Sequence, residues 1–115
     1  MKLELDLAWR MGPGTTKPAP PVLFNLLRGI TDFGSLSAAA KQSGVSYRSA
    51  WNLIHQWSDY LGTPLVEATR GQGAHLTPLG HKLVWGVEHA RQAMHEAGSA
   101  TLADFQKEID RVLKL

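Results

Sequence analysis

Apolar and polar positions follow two rhythms along this chain. Leu3, Leu5 and Leu7 are separated by Lys2, Glu4 and Asp6, a period of two that predicts a short half-buried strand. The stretch from Met11 to Pro21, M-G-P-G-T-T-K-P-A-P-P, reads as turn and loop by composition. From about Pro21 to Phe33 the rhythm becomes helical, with Leu23, Leu26, Leu27 and Ile30 at helical spacing and Pro in the tolerant opening turn. Gly34 stops this helix, and Ser35 caps a second one with a small apolar stripe of Leu36, Ala39 and Ala40. Gly44 supplies the positive φ that a tight turn needs, Val45 plugs the turn, and Ser46 caps a third helix that ends near Leu61-Gly62.

Two helices joined by so short a turn, the first of them rich in alanine, make a helix-turn-helix. At about 100° per residue, Ala50, Leu53, Ile54, Trp57 and Leu61 cluster on one side of the third helix. Arg48, Asn52, His55 and Asp59 project opposite, Ser49 and Gln56 flank them, and Tyr47 and Trp51 stand at the border. The polar face is either an ordinary solvated surface or a surface for base edges and phosphates. Recognition helices use their N-terminal half for the latter.

After Thr63-Pro64 the pattern predicts a strand over Leu65–Thr69, a turn over Arg70–Gly73 and a return strand over Ala74–Thr77. A hairpin directly after a helix-turn-helix is a wing. Thr77-Pro78 then opens a long helix. Leu83, Val87, Ala90, Met94 and Ala97 are spaced 4, 3, 4, 3, an a/d seam. Gly98 is expected to end that helix, and Thr101 with Asp104 to cap another carrying Leu102, Phe105, Ile109 and Val112. These stripes pack either on the domain's own core or on a second copy. A small three-helix domain has little core left for them, which favours a homodimer through Leu83, Val87, Ala90 and Met94. The expected fold is mainly α with a small β-sheet: a winged helix-turn-helix with a long C-terminal dimerisation helix. Its expected domains are residues 1–77, the winged helix-turn-helix with the N-terminal strand, and residues 78–115, the dimerisation helix and a C-terminal helix.

Composition narrows the function. In 115 residues, 43% hydrophobic with four Trp, there is enough apolar material for a core. The absence of Cys excludes disulfides and thiolate metal sites. No apolar run approaches the ~20 residues of a membrane span, and the N-terminus lacks a signal-peptide core, so the expectation is a cytoplasmic protein. A net charge of +2 permits nucleic-acid binding without demanding it. His81, His89 and His95 share the long helix, but no two are three or four residues apart, so no metal is expected. Gly12-Pro13-Gly14 lacks the context of a phosphate-binding loop, and no catalytic motif is present, so neither enzyme activity nor a cofactor is expected.

The run G-S-L-S-A-A-A-K-Q-S-G-V-S-Y-R-S-A-W, Gly34 to Trp51, with Pro64–Glu67, the Gly-containing wing and L-T-P-L-G (Leu76–Gly80), resembles the DNA-binding domain of ModE-type molybdate-responsive regulators. It is similar, more distantly, to the N-terminal domain of LysR-type regulators. Ser46–Trp51 carries the ModE-type likeness, and the Leu-rich opening followed by Gly-Pro-Gly looks like that group too. The resemblance implies a winged helix-turn-helix that dimerises through the helix after the wing and binds a near-palindromic operator in double-stranded DNA. By position Ser46, Arg48, Ser49 and Asn52 match the recognition surface, with Tyr47 in the same run, and Arg70 matches the wing. The family's wing is often longer and richer in glycine than Arg70–Gly73, which leaves its reach into the minor groove open. The family's molybdate-binding domains follow the DNA-binding domain, and no stretch before Leu115 matches them, so molybdate binding is not expected here; no other effector is indicated. A winged helix used for protein contact is the competing reading, favoured by Tyr47 and Trp51 at the border of the polar face.

Overall fold

The computed structural model describes residues 1–114. In chain order the elements are β1 (Trp9–Met11), β2 (Lys17–Ala19), α1 (Pro21–Phe33), α2 (Leu36–Gln42), α3 (Tyr47–Leu61), β3 (Val66–Thr69), β4 (Gly73–Leu76) and α4 (Pro78–Leu113). Residues group into two compact units, one of Ala8–Gly86 and one of Met1–Leu7 with the chain from Val87 onward. Among the described residues no helix is long and apolar enough to cross a membrane.

The larger unit is the winged helix-turn-helix. Leu23, Leu26, Leu27 and Ile30 of α1 bury their side chains with Ala39 and Ala40 of α2, Ala50, Ile54 and Trp57 of α3, and Leu65 and Leu76 at the base of the wing. The helices lie close because the residues between them are small: a Cβ on Gly29 would stand 2.9 Å from the Ala39 Cβ. Each boundary has a local cause. Gly34 ends α1 in the left-handed region, its N–H donating to Ile30 O at 2.8 Å. The Ser35 hydroxyl accepts from Ala38 N at 3.1 Å to open α2, and Ser46 accepts from Ser49 N at 3.0 Å to open α3. The wing is the antiparallel β3–β4 ribbon, Val66 opposite Leu76 and Thr69 opposite Gly73.

Three expectations are corrected. Leu3–Leu7 forms no strand; the strand is Trp9–Met11, and it pairs with Lys17–Ala19 inside the stretch expected to be all loop. Alternation supplies the faces of a strand but not its neighbour, and only the Gly12–Thr16 turn brings a neighbour within reach. Pro18, which has no N–H to give a ladder, sits opposite Arg10 in this edge ribbon. The ribbon is tied to α3: the Lys17 ammonium lies 4.1 Å from the Tyr60 ring centre and 4.7 Å from that of Trp57, and the Tyr60 hydroxyl donates to Thr15 O.

The third correction concerns Gly98, which does not end a helix. α4 runs unbroken for 36 residues, so Thr101 and Asp104 cap nothing. An interior glycine costs only about 1 kcal/mol relative to alanine, and here it makes room. A Cβ on Gly98 would stand 3.2 Å from a methyl of Leu5. In this second unit the N-terminal residues run beside α4, held by Leu3 N–H donating to Gln106 Oε1 at 3.1 Å, the Met1 ammonium on Asp110, and Arg91 3.9 Å from Asp6.

Candidate nucleic-acid interface

The candidate surface is the exposed face of α3. Ser46, Tyr47, Arg48, Ser49 and Asn52 are all exposed, while Ala50, Ile54 and Trp57 on the other side are buried. The helix is therefore anchored by one face and free on the other. Arg48 and Asn52 make no side-chain hydrogen bond or ion pair among the described residues, so their donors and acceptors are uncommitted. Ser46 is not: its hydroxyl accepts from Ser49 N and donates to Ser49 Oγ at 3.0 Å, which makes it first a helix cap. Asp59 occupies the same polar direction in the last turns of α3, so the part of the face suited to an anion is its N-terminal half.

The two flanks of this face differ. Ser49, Asn52, Leu53 and Gln56 border a groove of about 330 Å³ against Val22 and Leu26 at the start of α1. On the other flank Tyr47, Arg48 and Trp51 line a notch of about 270 Å³. Tyr47 is 55% and Trp51 43% exposed. The Trp51 ring stacks on that of His55, with centroids 3.7 Å apart and planes 15° from parallel. His55 Nδ1 lies 2.8 Å from Trp51 O and donates its proton there.

Arg70 is exposed at the tip of the wing, where Gln72 N–H donates to Thr69 O at 2.9 Å. The wing's return strand is seated on the turn after α1 by Ala74 N–H donating to Gly34 O at 3.1 Å. That seat needs Gly73, whose φ is +70° and whose Cβ would stand 2.5 Å from Gly34 O. At the wing's base Ser58 Oγ donates to Ile54 O at 2.8 Å and accepts from Leu65 N at 3.1 Å. Leu65 O in turn accepts from Thr77 N at 3.1 Å. Thr77 Oγ1 donates to Pro64 O at 2.7 Å and accepts from Gly80 N at 3.2 Å. This relay ties the end of α3 to the wing and to the first turn of α4. Thr77 was legible as a cap, but the role of Ser58 was not, because its partners lie in a later segment. Lys41, exposed in the last turn of α2, is a further cation of this unit that the sequence reading did not name.

The expected seam residues of α4 differ in exposure. Leu83 and Ala90 are half-buried, Val87 is 6% exposed and Met94 45%. No cluster of three His, Asp or Glu side chains able to hold a metal occurs among the described residues.

Residues 23–81, more than half of the chain, match the family described as bacterial regulatory helix-turn-helix protein, lysR family. Over 90 residues the chain is 39% identical to the molybdenum-pterin-binding protein MopB of Rhodobacter capsulatus, covering 74% of this chain and 32% of that protein. Over 70 residues it is 41% identical to the DNA-binding transcriptional dual regulator ModE of Escherichia coli strain K12, covering 57% and 27%. The chain thus spans about a third or less of these relatives. Among solved structures it is similar to the CbnR DNA-binding domain in complex with DNA, with a TM-score of 0.57 and 22% identity over 71% of this chain and 93% of that one. It is also similar to Vibrio fischeri DarR in complex with DNA, with a TM-score of 0.59 and 19% identity over 77% and 30%.

Proposed function

The chain belongs to the lysR family of bacterial regulatory helix-turn-helix proteins, and on that premise we propose that it is a transcriptional regulator that binds double-stranded operator DNA as a homodimer. The carrying observation is the N-terminal half of α3, where Arg48 and Asn52 are exposed and uncommitted on a helix whose opposite face is buried. In the major groove Arg48 suits guanine O6 and N7, and Asn52 suits adenine N6 and N7. Ser46, Tyr47 and Ser49 stand beside them in the first turn, and Arg70 extends from the wing toward the phosphates. Residues 8–77 are the DNA-reading part, and α4 with residues 1–7 beside it is the dimerisation part, with no cofactor and no catalysis. Such a protein works in the cytoplasm, where the DNA is.

Within the expected seam Val87 is already covered and Leu83 and Ala90 are half-buried, so the support for pairing along α4 is Met94 (45% exposed), together with Phe105 (54%) farther along the helix. Closed two-fold pairing is the commonest way to cover such a face.

Selection of bound fragments from a random DNA pool should yield a near-palindromic site. Its affinity should fall steeply with salt as counterions are released. Arg48→Ala should keep the melting temperature and lose ~1–3 kcal/mol of specific binding. Undiminished affinity in that variant would remove Arg48 from base reading. A second reading, a winged helix that docks on a protein, is favoured by the exposed rings of Tyr47 and Trp51; a selection that enriches no sequence, with salt-insensitive capture of a protein, would establish it instead.

A further inference from the structure

The notch formed by Tyr47, Arg48 and Trp51 asks for an occupant with an apolar group beside a polar edge. The three side chains lie on one flank of α3, since residues four apart stack on a helix and the third is their neighbour. Both aromatic walls are unusually open to water for their size, at 55% and 43% exposure. The Trp51 ring is braced on one side. One face of its ring is covered by His55, which is itself held by its hydrogen bond to the Trp51 carbonyl. The outer part of the indole is thereby presented in one orientation before any ligand arrives, which reduces the ordering cost of binding.

In duplex DNA the base faces are covered by their neighbours, so a helix in the major groove meets only edges. Those edges carry donors and acceptors, and a single apolar group, the C5-methyl of thymine. Arg48 is the cation of the notch and makes no ion pair among the described residues, which suits an anionic duplex and disfavours a purely apolar occupant. Resting on the DNA-reading role proposed above, the geometry points to Tyr47 and Trp51 as the walls of a thymine-reading notch, with the C5-methyl seated between the rings while Arg48 reaches a neighbouring base. Arg48 alone reads guanine; the aromatic pair adds a preference for a 5-methylated pyrimidine next to it.

The test uses the operator selected by the full chain from a random pool, resynthesised with deoxyuridine for every thymidine and, separately, with 5-bromodeoxyuridine. Deoxyuridine lacks only the methyl, and bromine restores its bulk. Affinity at fixed salt should fall about fourfold per seated methyl, the effect of exposing one such group to water, and hence by roughly fifteenfold for two half-sites. Bromodeoxyuridine should restore it. Tyr47→Ala and Trp51→Ala, both at exposed positions, should melt like the wild type, bind thymidine DNA more weakly and lose the discrimination against deoxyuridine. Equal wild-type binding to thymidine and deoxyuridine DNA would overturn the notch while leaving the regulator reading intact. So would a selected site without thymine in its half-sites, or a deoxyuridine penalty that survives in both variants. Failure of the wild type to enrich any DNA would overturn the regulator reading itself.

Discussion

Residues 8–86 and the unit made of residues 1–7 with α4 from Val87 onward are held together by opposite means. In the first, Leu23, Leu26, Leu27, Ile30, Ile54 and Leu65 are essentially inaccessible to water, and Trp57 is 3% exposed. In the second, Val87 is the one buried apolar side chain among the described residues, while Leu5, Met94, Phe105 and Val112 stay exposed. The N-terminal residues are joined to the helix by a part-buried bond from Leu3 to Gln106, by the exposed pairs Met1 to Asp110 and Asp6 to Arg91, and by Leu5 lying against Gly98. Exposed ion pairs are worth only ~0–1 kcal/mol. Under the homodimer proposed above, a unit with so little buried surface would gain stability from a second copy. The contrast also fits the proposed division of tasks, in which the buried core holds α3 in place and pairing falls to the thinner unit.

The comparison breaks most sharply in the core. Leu27→Ala, at 0% exposure, should lower the unfolding free energy by ~2–5 kcal/mol through lost burial and a cavity. Leu5→Ala, at 57% exposure, should stay within ~0.5 kcal/mol, as surface substitutions do. Denaturant titration of both variants measures the contrast, and comparable losses would show that the second unit has a core after all.

Next comes the seam. Met94→Glu should weaken dimerisation ~10-fold or more, because pairing would bury a charge with no partner, yet leave the melting of residues 8–86 unchanged. Sedimentation over a concentration series reports it. Val87→Asp is a poorer probe, since Val87 is already covered in the single chain and the variant would disturb the fold too. A variant at Met94 that pairs like the wild type would move the interface toward Phe105 and Val112.

The relay at the base of the wing is worth less. Thr77→Val removes the hydroxyl that donates to Pro64 O and accepts from Gly80 N, at a cost of ~1–2 kcal/mol, seen as a lower melting temperature with DNA contacts in α3 untouched. The smallest effect belongs to Asp6→Ala, which loses a 3.9 Å pair with Arg91 whose acid is 80% exposed. It should change stability by no more than ~0.5 kcal/mol and only at low salt. A larger shift would mean that the N-terminal residues are held by more than surface charge.

Much of the helical framework was decided within a few residues of chain. The caps at Ser35, Ser46 and Thr77 and the left-handed glycines at 34, 44 and 62 close hydrogen bonds or turns over three to five positions. Local sequence is therefore enough to place the ends of α1, α2 and α3, and the exposed Arg48–Asn52 face follows from helical period alone. Tertiary structure decided what depends on a neighbour brought from elsewhere. Leu3–Leu7 has the alternation of a strand but lies beside a helix, whereas Trp9–Met11 finds Lys17–Ala19 across a tight turn. Gly98 looks like a stop, yet α4 continues through it, and a methyl of Leu5 from the N-terminal residues lies 3.2 Å from where its Cβ would stand. Ser58 and Lys17 look like surface residues until Leu65 and the rings of Trp57 and Tyr60 arrive to receive them. A cap is satisfied by residues a few positions away, so the chain encodes it locally; a strand pair, a seat for a side chain or a cation on a ring exists only once distant segments share the same space.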